Sequence, residues 1–141
     1  MVTLSGDRRI KVQIWDTGTT LPHLSRPRTI QSHHLSVSHP TISHYRKAQG
    51  ALVVYDMTKE PTFKSVRRWI EGIREHAVEN VVIVIVGNKS DLKADQVVTT
   101  AEGKRLAKEL GCFFEETSAI TGDNIDSTFK NMLEGMFALR S

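Results

Sequence analysis

Six β-branched residues in succession, Val81-Val-Ile-Val-Ile-Val86, predict a central parallel strand buried on both faces. The run stops at Gly87. Upstream, Met1 to Leu4, a Ser5-Gly6-Asp7 turn and Ile10 to Trp15 predict a β-hairpin. In its second strand Ile10, Val12 and Ile14 alternate with Lys11 and Gln13, so one face is expected to be the more buried. Ala51 to Tyr55 predicts another parallel strand, followed by the Asp56-Met57-Thr58 turn. Pro61 suits the first turn of a helix. Phe63, Val66, Ile70 and Ile73 follow at helical spacing, with Arg67, Arg68, Glu71 and Arg74 on the other side and Trp69 beside the apolar stripe. Thr99 or Thr100 can cap a helix running through Leu110 and closed by Gly111. Cys112 to Glu116 reads as a short strand. Ile125, Phe129, Met132, Leu133 and Met136 make a last amphipathic helix.

Between Gly18 and Thr41 the pattern fails. Leu21-Pro-His23, Ser25-Arg-Pro-Arg28 and Gln31-Ser-His-His34 carry neither period, and the segment is expected to be a disordered loop. His23, His33, His34, His39 and His44 are spaced irregularly, with no carboxylate or thiolate among them, so a solvated loop is preferred to a metal site. A structureless stretch this long is uncommon inside a domain.

The length of 141 residues fits one domain with a single core, residues 1–141 with 18–41 as an atypical inserted loop. The net charge of +3 is local. Residues 17–50 hold Arg26, Arg28, Arg46 and Lys47, four of the 19 basic residues, and none of the 16 acidic ones. The remainder is near neutral, which argues against a nucleic-acid-binding face. No apolar run approaches the roughly 20 residues of a membrane span, and no signal segment opens the chain. Cys112 stands alone, which suits a reducing cytosol and a buried structural thiol.

Candidate chemistry gathers where the central strand opens into a loop. Ligands of open α/β sheets bind at the carboxyl ends of strands, and here Asn88, Lys89 and Asp91 arrive together. An Asp can accept two parallel hydrogen bonds from a base edge that presents a ring N–H and an exocyclic amine. Guanine has that edge and adenine does not.

Asn88-Lys-Ser-Asp91 resembles the N-K-x-D motif of the Ras-like small GTPases, and Glu116-Thr-Ser-Ala119 is similar to their E-x-S-A motif. The wording Asp56-Met-Thr58-Lys59, Arg68-Trp-Ile-Glu-Gly-Ile-Arg-Glu-His-Ala77 and Val86-Gly-Asn-Lys-Ser-Asp-Leu92 looks most like the Rab subfamily, in its recycling-endosome branch. The resemblance covers about residues 1–17 and 42–141. It implies an α/β, P-loop small-GTPase fold: a mostly parallel sheet with flanking helices. It also implies guanine contacts by Asp91, a backbone N–H near Ala119 for the guanine oxygen, and Ser118 supporting both its loop and the Asp91 carboxylate. Lys89 would lay its methylenes along the base, and Asn88 would tie neighbouring loops together. Ile42 to Gly50 resembles the helix of the second switch region.

Trp15-Asp16-Thr17 resembles the opening of the family's W-D-T-A-G-Q motif, which implies an indirect magnesium contact for Asp16. The match lapses at Gly18-Thr19-Thr20, where Ala-Gly-Gln is absent and with it the glutamine that positions water. No G-x-x-x-x-G-K-[ST] phosphate loop occurs in these residues, nor the first switch with its magnesium-binding Thr. The fold is therefore expected to be truncated, lacking the family's first strand and first helix and leaving two inner sheet edges open. Arg140-Ser141 carries no cysteine, so no prenyl anchor is expected.

By resemblance the function is a Rab-like switch in vesicle traffic, binding GTP or GDP with Mg2+ and hydrolysing GTP. Its partners would be Rab effectors and regulators, in the cytoplasm, where family members sit on endomembranes through prenylation. Against that stands a truncated, inactive variant acting only as a partner-binding module, or an unstable product. The absent phosphate loop separates them.

Overall fold

The valine and isoleucine run is the middle strand of a three-stranded parallel sheet. The computed structural model describes residues 2–4, 8–10, 12–14 and 45–139. Strands β3 (Gly50–Asp56), β4 (Val82–Asn88) and β5 (Phe113–Glu116) lie in the order β3-β4-β5. Successive side chains of a strand point to opposite faces, and both faces of β4 are covered. Ile83 and Ile85 join Val53, Tyr55, Met57, Val66, Ile70, Ile73 and Ala107 in one buried cluster. Val82, Val84 and Val86 pack with Met132, Leu52, Phe129 and Met136 in another.

The helices that supply this cover are α1 (Glu60–Lys64), α2 (Val66–His76), α3 (Thr100–Leu110) and α4 (Ile125–Ala138). In α2 the stripe predicted from spacing is the buried one, with Val66, Ile70 and Ile73 inside and Arg67, Arg68, Glu71 and Arg74 exposed. Trp69 packs half-buried against the first cluster. The helix expected to be continuous from Pro61 breaks at Ser65. There the Ser65 amide and hydroxyl both donate to the Pro61 carbonyl, at 3.3 and 3.0 Å, and such back-bonding bends a helix.

Thr99, not Thr100, caps α3. Its hydroxyl accepts from the Glu102 amide at 3.2 Å, and the Glu102 carboxylate accepts from the Thr99 amide at 2.8 Å, closing a capping box. Hydrogen bonds from the Thr99 amide and then its hydroxyl hold the Glu102 carboxyl below its ordinary range. Gly111 ends the helix at φ 64°, a left-handed position that favours glycine.

The amino-terminal hairpin corrects one expectation. Strands β1 (Val2–Leu4) and β2 (Arg8–Ile10) pair antiparallel, with Leu4 opposite Arg8 and Val2 opposite Ile10. That register uses all of β1, so residues 12–14, expected to continue β2 towards Trp15, have no partner strand among the described residues and form no strand. Ile14 is 67% exposed where burial was expected. Strand propensity without a partner does not make a strand. The hairpin is a separate two-stranded sheet, and among the described residues β3 pairs with β4 alone, leaving Val54 58% exposed. Trp15, Asp16, Thr17, the 18–41 stretch with its histidines, and most of the helix expected from Ile42 lie outside the described residues.

Candidate guanine-base site

Parallel register brings the three strand ends level. Asp56 lies opposite Asn88, and Gly87 lies opposite Glu116, so the segments that follow β3, β4 and β5 meet at one edge of the sheet. That edge, at the carboxyl ends of parallel strands, is where α/β sheets place ligands. Gly87 is needed in the approach itself, because a Cβ there would meet the Tyr55 hydroxyl at 2.9 Å and Met57 Cγ at 3.1 Å.

All five residues assigned by resemblance to a guanine site, Asn88, Lys89, Asp91, Ser118 and Ala119, fall in this one place. Asn88 Oδ1 accepts from the Ala119 amide at 3.1 Å and the Thr117 hydroxyl at 3.3 Å, which joins the β4 and β5 loops. Ser118 is fully buried. Its hydroxyl donates to Asp91 Oδ1 at 2.6 Å and accepts from the Thr121 amide at 3.1 Å. This is a short, charge-assisted bond, and it fixes one carboxylate oxygen of an otherwise exposed side chain. The loop amides and carbonyls close on themselves: Ser90 N–H donates to Thr117 O at 3.0 Å, and Gly122 N–H to Ser118 O at 2.8 Å. The Ala119 N–H, assigned by resemblance to a guanine oxygen, is here turned onto Asn88.

Lys89 sits at φ 69°, an uncommon left-handed conformation for a residue with a Cβ. Its ammonium reaches Asp56 Oδ2 at 2.7 Å. The Asp56 carboxylate also accepts from the Thr58 amide at 2.9 Å and the Thr58 hydroxyl at 2.6 Å, both through Oδ1. Burial pushes this carboxyl up. The hydrogen bonds from Lys89 and Thr58, with the Lys89 charge, outweigh burial and hold it at about 2.

Sequence reasoning treated Asp56 only as part of a turn and so missed its tie to Lys89. Asn124 was missed as well. It stands at φ 60°, and its side-chain Nδ2 donates to Glu116 O at 2.8 Å, tying the start of α4 to the end of β5. The sequence signal for Asn124 was an Asn before an apolar helical stripe, since Asn tolerates the left-handed region.

Asp16, the residue assigned an indirect magnesium contact, lies outside the described residues. Among the described residues no group of three or more His, Cys, Asp and Glu side chains could hold a metal ion. Cys112 is half-buried. Burial pushes its thiol up despite the nearby Arg74 guanidinium, which lies 3.6 Å from Sγ. At the amino ends of the strands, away from this site, an open depression of about 250 Å³ is lined by residues that include Gln49, Val78 and Met136. No helix among the described residues is long and apolar enough to cross a membrane.

A parallel α/β sheet carrying these two loop motifs at its carboxyl edge defines a class, and sequence comparison gives the same one: the chain belongs to the Ras family, whose model matches residues 36–138. Within that family it is similar to Rab-related proteins. It is 40% identical to the Ras-related protein RABA4b of Arabidopsis thaliana over 136 residues, 96% of this chain and 54% of that protein. It is similarly 40% identical to RABA5a over 95% of this chain, and 38% identical to RABA4a over 92%, both from the same plant. The chain spans about half the length of these relatives, 54% of RABA5a and 51% of RABA4a.

Proposed function

We propose that this chain recognises guanine at the edge formed by Asn88, Lys89, Asp91, Ser118 and Ala119, as the base-binding part of a Rab-like switch in vesicle traffic. One observation carries the reading: the Ser118 hydroxyl holds Asp91 Oδ1 at 2.6 Å, beside the Asn88–Ala119 link, at the carboxyl edge of a parallel sheet. A carboxylate fixed through one oxygen is oriented to accept from a ring N–H and an exocyclic amine. GTP or GDP would supply that base, and Mg2+ would neutralise its phosphates. This chain's described residues would select and orient the base, and they support no step at the phosphates. Rab effectors and regulators are the partners this lineage suggests, at endomembrane surfaces in the cytoplasm.

The test is competition binding with guanosine, inosine and adenosine. Two charge-assisted bonds at roughly 1.5–3 kcal/mol each suffice to separate the bases. Guanosine should bind best, and Asp91→Asn should remove the preference, since an amide cannot accept from both donors. Equal binding of guanosine and adenosine to the unmutated chain refutes the assignment.

A second reading is a partner-binding module with weak nucleotide affinity: after Trp15-Asp-Thr17 the family's Ala-Gly-Gln is replaced by Gly18-Thr19-Thr20. On that reading the chain binds GTP no better than about micromolar, which corresponds to about 8 kcal/mol. GTP and guanosine then bind alike, and hydrolysis stays at background. Titration calorimetry with both ligands separates the two readings. A GTP affinity a thousandfold above that of guanosine would show that a phosphate site exists.

A further inference from the structure

We propose that Asp56 is a positioning residue for base recognition, acting through Lys89. The inference rests on the guanine reading above and adds a residue that lies outside both loop motifs. Lysine carries its charge on a flexible four-carbon stem, and holding that stem in one conformation costs entropy. A lysine that stacks its methylenes on a base binds better if the stem is already ordered before the base arrives. The structure supplies such an anchor. Asp56 Oδ2 holds Lys89 Nζ at 2.7 Å, at the far end of the stem from its backbone.

The anchor is itself fixed. The Asp56 side chain is only 15% exposed, against 41% for Lys89. Its second oxygen is occupied by the Thr58 amide and hydroxyl, and its own amide donates to Thr62 Oγ1 at 2.9 Å. Thr62 Oγ1 in turn donates to Lys59 O at 2.7 Å, so the turn after β3 is tied to the start of α1. The parallel register that sets Asp56 opposite Asn88 brings the carboxylate within reach of the next residue, Lys89. The left-handed backbone of Lys89, at φ 69°, is the kind of constrained conformation that persists when its surroundings hold it, and the ion pair is one such hold. Asp56 touches no base on this account. It determines where the lysine stem lies.

The experiment is a double-mutant cycle on guanosine binding by calorimetry, with Asp56→Asn, Lys89→Met and the pair. Ordering one long side chain corresponds to about threefold to tenfold in affinity, and Asp56→Asn should weaken guanosine binding by that factor. In the Lys89→Met background the same substitution should have no further effect, because nothing is left to position. A role confined to the fold would instead weaken binding by the same factor in both backgrounds, and that result overturns the proposal, as does an Asp56→Asn affinity equal to the unmutated one. Should Asp56→Asn fail to fold, Thr58→Ala keeps the carboxylate while removing one of its hydrogen bonds. It should weaken binding about twofold, and only when Lys89 is present. If the unmutated chain does not prefer guanosine over adenosine, the base site and this inference both fall. If it does prefer guanosine and the cycle is additive, only this inference falls.

Discussion

Replacing Ser118 with Ala removes one oxygen from the centre of the candidate site. That oxygen is fully buried and makes two hydrogen bonds, donating to Asp91 at 2.6 Å and accepting from the Thr121 amide at 3.1 Å. A hydrogen bond to a charged group is worth about 1.5–3 kcal/mol and a neutral one about 1 kcal/mol. The full sum is not lost, because Asp91 and Thr121 are exposed and water can replace the hydroxyl at each. A net loss of about 1–2 kcal/mol is expected for Ser118→Ala. With a urea slope of about 2 kcal/mol/M, the midpoint should fall by about 0.5–1 M with the slope unchanged. Guanosine affinity should fall as well, by up to about tenfold, because the Asp91 carboxylate regains rotamers that binding must then restrict. Equilibrium urea unfolding and guanosine titration on the same preparation read both effects. A midpoint and an affinity both equal to the parent's would refute the claim that Ser118 orients Asp91. A midpoint shift with unaltered affinity would confine Ser118 to loop stability.

Tyr55→Phe should stabilise the chain by up to about 1 kcal/mol, since the buried Tyr55 hydroxyl has no hydrogen-bond partner among the described residues. Burial, then the charges of Glu116 and Glu102, push that phenol up, so it stays neutral; a urea midpoint that falls clearly would show that the hydroxyl is bonded. Asp56 is held at about 2 against an ordinary 3.8, so it contributes up to about 2 kcal/mol of stability, present above about pH 4 and lost as pH falls through about 2. Subtracting the acid-unfolding profile of Asp56→Asn from the parent's should expose that window, and parallel profiles would refute the ion pair. Gly103→Ala should destabilise by up to about 2 kcal/mol: its Cβ would strike the Phe114 ring and lie 2.8 Å from the Tyr55 hydroxyl, and overpacking costs about 1–3 kcal/mol against a helix-propensity gain of about 1 kcal/mol. A raised midpoint for that variant would mean the Phe114 ring can move aside.

Local patterns determined much of this protein. The β-branched run at 81–86 reads as a strand covered on both faces, because its residue types favour extended backbone and leave no polar face for solvent, and all of it but Val81 lies in β4. The stripe of α2 and the Thr99–Glu102–Gly111 punctuation of α3 were legible because their partners lie within a few residues of each other. The two loop motifs contain the five residues that the structure brings together at the carboxyl edge of the sheet. The tertiary structure alone decided what depends on partners distant in sequence. The hairpin's second strand ends at Ile10 because pairing, not propensity, makes a strand. Asp91 meets Ser118, and Lys89 meets Asp56, because the parallel register of β3, β4 and β5 aligns their carboxyl ends. A motif carries the identity of a side chain, but the bond it makes is decided by whichever strand the fold sets beside it.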